Sequence, residues 1–116
     1  MDRLKQRSEF LRAQRGVRRV TPGLTLEICT NPGASVFRVG FTASRKVGNA
    51  VIRNRAKRRL RAAAAQVLPE SARPGTDYVL VARLGTVSRP FESLKADLAQ
   101  AVQAAHLKLG SPGDLR

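Results

Sequence analysis

Few groups in this 116-residue chain could make or break a covalent bond. It has one cysteine, Cys29, one histidine, His106, and eight acids against 22 lysines and arginines. A lone cysteine closes no intramolecular disulfide, which points to a reducing compartment. The acids are scattered singly, so they offer neither a carboxylate pair for acid–base work nor a metal-ligand cluster. His106 lies in a late helical segment and reads as a surface residue rather than a base. Cys29 lies mid-strand without a partner and reads as packed rather than nucleophilic. There is no Walker loop, since Gly48 stands alone. No apolar run nears the ~20 residues of a membrane span, and Met1-Asp2-Arg3 leads into no signal-peptide core. The expectation is a soluble, cytoplasmic chain with no membrane partner.

What the chain does have is positive charge, in one place. The formal net charge is +14, and no acid occurs between Glu27 and Glu70. In that interval stand Arg38, Arg45, Lys46, Arg53, Arg55, Lys57, Arg58, Arg59 and Arg61. A second group, Arg3, Lys5, Arg7, Arg12, Arg15, Arg18 and Arg19, opens the chain. A charge kept for solubility would be spread evenly. This clustering calls for a polyanion, and nucleic acid is the natural one. A hydrophobic content of 42% is that of a folded domain, and the length allows one modest core.

Local patterns outline the elements. Ser8 can cap a short helix from Glu9 to about Arg15, which Gly16 would end in a left-handed turn. "LTLEICT" alternates Leu24, Leu26 and Ile28 against Thr25, Glu27 and Cys29, the pattern of a strand. In "VFRVGFTAS", Phe37, Val39 and Phe41 share one face, while Val36, Arg38, Gly40 and Thr42 share the other. The short loop through Asn31-Pro32-Gly33 predicts that these two strands pair antiparallel. Gly48-Asn49 starts a long helix, Ala50 to about Val67, and Pro69 should stop it. "TDYVLVAR", Thr76 to Arg83, is apolar on both faces and reads as a more central strand. Ser88 or Arg89 then precedes Pro90 at a helix start. The stripe Phe91, Leu94, Leu98, Val102, Ala105 and Leu109 repeats at helical spacing up to Gly110. Residues 1–110 read as one domain and 111–116 as a flexible tail.

On the long helix, Ile52, Ala56, Leu60, Ala63, Ala64 and Val67 form one apolar arc. Asn54, Arg58 and Arg61 fall together on a roughly opposite sector, with Arg55 and Arg59 as a ridge beside it. Like-charge pairs at i,i+4 cost a few tenths of a kcal/mol each, which alanine at 62 to 65 partly offsets. A membrane-surface helix needs larger apolar anchors than alanine. Arginine forks bind phosphate bidentately, and an asparagine among them can bond a base edge, so nucleic acid fits better than a merely solvated face.

The stretch "SRKVGNAVIRNRAKRRLR" resembles the bacterial ribonuclease P protein family. The resemblance is carried by Lys46, Gly48, Asn49, Ala50 and Val51, by Arg53-Asn54-Arg55, and by Lys57, Arg58 and Arg61. It extends from about Leu4 to Val102 through "RLKQRSEF", "FRVGFTAS" and "DYVLVAR". It implies a compact α/β domain, an α+β sandwich. In it a sheet of about four strands is crossed by the long RNR helix in a left-handed βαβ unit, with N- and C-terminal helices. It further implies a monomeric, non-catalytic subunit of a ribonucleoprotein endoribonuclease. The large RNA would cleave precursor tRNA, with Mg²⁺ bound mainly through that RNA.

By the same resemblance, Arg45, Lys46, Asn49, Arg53, Asn54, Arg55, Lys57, Arg58, Arg59 and Arg61 face RNA. A cleft between the first helix and the sheet would hold the 5′ leader of precursor tRNA, with Phe10, Thr42 and Lys46 in it and Arg45 at its edge. Phe10 could stack on a leader base or simply pack in the core. Gln14 stands where the family often has a second aromatic. The alternative from charge alone is a ribosomal or other structural RNA-binding protein. A DNA reader is disfavoured for want of a helix-turn-helix spacing.

Overall fold

The computed structural model describes residues 1–110, so the tail expected at 111–116 lies outside the described residues. In chain order the elements are β1 (Asp2–Arg3), α1 (Arg7–Gln14), β2 (Val17–Val20), β3 (Leu24–Thr30) and β4 (Arg38–Thr42). After a single 3₁₀ turn at Arg45–Val47 come α2 (Ala50–Ser71), β5 (Thr76–Ala82) and α3 (Phe91–Leu109). The class is the expected α+β one, with five strands where about four were expected.

The strands form one sheet in the order β1-β4-β5-β3-β2. The predicted β3–β4 hairpin is not made. Instead β5 lies between the two, antiparallel to β3 and parallel to β4, with Leu26 and Phe41 both partnered to Leu80. The physical reason lies in β5 itself. A strand apolar on both faces is best placed centrally, and that burial outweighs the closeness of β3 and β4 in sequence. α2 joins the parallel neighbours β4 and β5, making the crossover unit. The strand β2, "VRRV", pairs with β3 and was hidden by its two arginines.

Below α2 and α3 lies the main core. Leu24, Leu26, Ile28, Val39, Phe41, Tyr78, Leu80 and Ala82 meet Ala56, Leu60, Ala63, Ala64 and Leu68 of α2 and Leu94, Leu98, Val102 and Ala105 of α3. The opposite face has a smaller cluster, Leu4, Ala13, Cys29 and Val79, with Phe10 and Val81 beside it. The alternation read in β3 and β4 therefore divides the two faces as expected, and Cys29 is packed.

Other local expectations need correction. α1 begins at Arg7, not after Ser8; its start is held by Glu9 Oε1, which accepts from the N–H groups of Lys5 (2.8 Å) and Gln6 (2.9 Å). Gly16 is not left-handed. It is required because a Cβ there would collide with the carbonyl of Ile28. α2 runs past Val67 to Ser71 with Pro69 inside its last turn, where Ala72 N–H donates to Leu68 O (2.7 Å) and Ser71 Oγ to Val67 O (2.7 Å). Ile52 is 37% exposed, because the first turn of α2 stands outside the core that begins at Ala56. His106 is buried rather than on the surface. Its Nε2 lies 2.6 Å from Tyr78 Oη, which itself accepts from Arg73 N–H at 2.8 Å.

Candidate nucleic-acid interface

The start of α2 is built by its sequence. Gly48 has φ +152, a region open to glycine, and a Cβ at this position would come within 2.8 Å of Ile52 Cγ2. Asn49 then caps the helix, its Oδ1 accepting from Ile52 N–H at 3.0 Å. Asn49 was expected to face RNA; it is exposed, and its amide oxygen is the cap.

From this start the cations divide. Arg45, Lys46, Asn54, Arg55, Arg58 and Arg61 are exposed, so the sector read opposite the apolar arc does face outward. Arg61 also stacks on Phe41 at 5.8 Å from the ring centroid, with Arg3 over the same ring at 5.1 Å. Arg53 and Lys57 are half-buried, and Arg53 Nε has no partner among the described residues. Arg59 departs from the expected RNA-facing set. Its guanidinium turns inward, Nε donating to Thr86 O at 3.1 Å and Nη2 to Arg89 O. Arg89 in turn clasps the buried Asp97, at 2.8 and 3.1 Å. Arg59 thus fastens α2 to the β5–α3 loop.

On the opposite face of the sheet, α1 is cross-linked to the strands through Asp77, which is wholly buried. Arg38 of β4 donates to Asp77 from Nε (2.9 Å) and Nη2 (2.8 Å), and from Nη1 to Glu9 Oε2 (2.6 Å). Arg12 of α1 adds a bond to Asp77 Oδ2 at 2.9 Å. The two backbone N–H bonds to Glu9, helped by Arg38, hold its carboxyl at about 2, well below the usual range. Arg38 is correspondingly pushed upward, chiefly by its bonds to Asp77. These contacts fix both the angle and the height of α1 over the sheet.

Between α1 and the strands opens a groove of about 560 Å³, lined by Arg7, Phe10, Leu11 and Gln14 of α1, Arg18, Glu27, Thr42, Ser44, Val79 and Val81. Phe10 is neither simply core nor simply cleft. Its ring lies against Gly40, where a Cβ would come within 2.5 Å of Cε2, while the half-exposed side chain also lines the groove. Phe10 and Thr42 are therefore brought together as expected. Lys46 is not: it lines a neighbouring depression with Pro22, Val47 and Ala82–Gly85, which shares only Ser44 with the groove. Arg18, Glu27, Val79 and Val81 were missed by sequence reasoning. Strand alternation could have found the last three, because they are the positions facing away from Leu26, Ile28 and Leu80.

A family model described as Ribonuclease P matches residues 1–106. The ribonuclease P protein component of Ruegeria pomeroyi is 50% identical over 106 residues, covering 89% of this chain and 85% of the relative. That of Paramagnetospirillum magneticum is 48% identical over 108 residues, covering 89% and 81%. Among solved structures, the Staphylococcus aureus RNase P protein is similar with a TM-score of 0.74 at 25% identity, over 90% of this chain and 95% of that one. These matches favour the resemblance over the ribosomal alternative. Agreement at this level along nearly the whole sequence, and again in the folded chain, has one consequence: the chain belongs to the family of ribonuclease P protein components.

Proposed function

We propose that this chain, as a single copy in the cytoplasm, holds the ribonuclease P RNA on the exposed cations around α2. In the same reading its groove under α1 receives the single-stranded 5′ leader of precursor tRNA. The observation that carries the reading is the groove, where an aromatic ring, two valines of β5 and the hydroxyls of Thr42 and Ser44 share one lining with the exposed Arg7 and Arg18. Bases can stack on such a ring while guanidinium groups hold the backbone. Lys46 and Arg45, outside the groove, would serve the strand as it leaves or the RNA subunit itself.

Chemistry belongs to the RNA in this reading. In this reading Mg²⁺ is bound mainly through the RNA, whose phosphates supply the oxygen ligands this ion prefers. His106 is buried and engaged with Tyr78 rather than open to a substrate strand. The protein without RNA should not cleave precursor tRNA. Cleavage by RNA-free protein after rigorous nuclease removal would contradict the division of labour.

The groove is tested with the holoenzyme and matched substrates. Phe10→Ala should weaken binding of leader-bearing precursor by roughly 1–3 kcal/mol for the missing stack, and weaken leaderless tRNA much less. Equal losses on both substrates would mean that the ring serves packing alone.

A further inference from the structure

The groove contains one residue that a polyanion site should exclude. Glu27 is the only acid in its lining, in a chain of net charge +14. Its side chain is 10% exposed, and no hydrogen bond to its carboxylate is made among the described residues. Among the described residues the only cation within 4.0 Å is Arg18, at that limit and with a side chain 63% exposed. Neither carboxylate oxygen is among the buried atoms left without a partner, so water still reaches them in the free protein. A strand seated in the groove would displace that water and must replace its hydrogen bonds. Desolvation pushes its carboxyl above the usual range, with Arg18 pulling the other way.

Phosphates cannot be what replaces that water, because like charges repel. Whatever meets Glu27 must donate hydrogen bonds. In a single strand of RNA the donors are the ribose 2′-hydroxyl, a lone O–H common to every nucleotide, and the N–H groups of base edges. An ionised carboxylate accepts only, through two adjacent oxygens. Guanine alone presents two adjacent donors on its Watson–Crick edge, N1–H and the 2-amino group. Adenine and cytosine pair one amino donor with a ring acceptor, and uracil sets its N–H between two carbonyls. The surroundings fit this geometry: Arg7 and Arg18 can hold the backbone while Phe10 supports the base plane.

We propose that Glu27 reads one base of the bound strand and selects guanine by accepting from N1–H and the 2-amino group. This rests on the leader reading of the groove and adds a base preference to it.

The test uses holoenzyme reconstituted from this chain and its ribonuclease P RNA, at about pH 8, well above the ordinary carboxylate range. Precursor tRNAs carry each base in turn at successive leader positions. At one position guanine should exceed the other three in kcat/KM by roughly 5- to 150-fold, the range of a good bidentate pair. Inosine there lacks the 2-amino donor and should lose most of the advantage, whereas 7-deazaguanosine keeps both donors and should retain it. Glu27→Gln places a donor beside an acceptor, the complement of both the adenine and the cytosine edge, and should abolish the guanine preference. Absence of a guanine preference in the unaltered protein, equality of inosine with guanosine, or a guanine preference that survives Glu27→Gln each overturns the proposal. The leader reading falls separately, if leader-bearing and leaderless substrates bind the unaltered holoenzyme equally.

Discussion

Two helices cover one face of the sheet and a single short one covers the other. α2 and α3, at 22 and 19 residues, extend roughly 33 and 28 Å at 1.5 Å per residue. They seal the side chains beneath them with leucine, valine and alanine. α1, with eight residues, extends only about 12 Å and leaves part of the sheet uncovered. Its attachment differs in kind as well. The closed face is held mainly by a large apolar core, with Arg59 pinning α2 to the β5–α3 loop. By contrast, α1 has only a small apolar cluster and is tied down by Arg38, Arg12, Glu9 and the buried Asp77. Directional contacts let a helix stand at a fixed place without filling the space around it. The closed face serves stability, and the open one leaves room for a ligand.

Breaking the closed face should have the largest effect. Leu60 is wholly buried under α2, so Leu60→Ala should cost about 2–5 kcal/mol, read from denaturant unfolding. The folded fraction should keep its distinction between leader-bearing and leaderless substrates. If that distinction vanished with stability, the faces would not be separable.

The open face is broken more gently at Gly40. A Cβ there meets the Phe10 ring at 2.5 and 2.7 Å and Leu4 Cδ1 at 3.2 Å, so Gly40→Ala must displace the ring. Crowding of this kind typically costs about 1–3 kcal/mol. Unlike Leu60→Ala, it should also reduce leader-dependent binding, because the ring is moved within the groove. Loss of stability with leader dependence intact would make Phe10 a packing residue.

A third surface belongs to neither face. Arg58 and Arg61 point outward from α2, and replacing both by alanine should weaken binding of the RNA subunit. For every phosphate that no longer meets a cation, the slope of log K against log salt should fall by about 0.7–0.9. Stacking at Phe10 is nearly salt-independent, so Phe10→Ala should leave that slope alone. A slope unchanged by the arginine pair would place the RNA-binding surface elsewhere.

How much of this was legible depended on whether the signal was local. The stripe of α3, the outward sector of Asn54, Arg58 and Arg61, and the alternation of β3 and β4 are periodic within one element, and each appears where the sequence puts it. The position of β5 between β3 and β4 is a competition among distant segments, and the local turn signal at Asn31-Pro32-Gly33 could not report it. Arg59 has the same residue type as its neighbours on α2, and only the tertiary position of Thr86 and Arg89 turns it inward. His106 was within reach of the sequence, since it stands four residues after Val102 and adjoins the buried stripe. Glu27 was visible as an alternating position of β3, but its place in the groove with only the distant Arg18 beside it was not.

Acid should separate the two faces most finely, because each carries a carboxyl or imidazole shifted downward in a different range. Burial, aided by Arg73, lowers His106 below its ordinary value of 6.5 on the α3 side. On acidification the unfolded chain takes up that proton first. The contribution is therefore complete above about 6.5 and is lost as pH falls below it. Glu9, on the α1 side, is held at about 2 against an ordinary 4.5, so its contribution is complete above 4.5 and is lost between 4.5 and about 2. Glu27, shifted upward by burial, works in the opposite sense, favouring the folded state as it takes up a proton. Thermal unfolding followed against pH should show two separate declines. His106→Gln should flatten the one beginning near 6.5, and Glu9→Gln the one below 4.5. A single decline, abolished by either substitution, would mean that the faces unfold as one electrostatic unit and that the ion-held attachment of α1 has no independent weight.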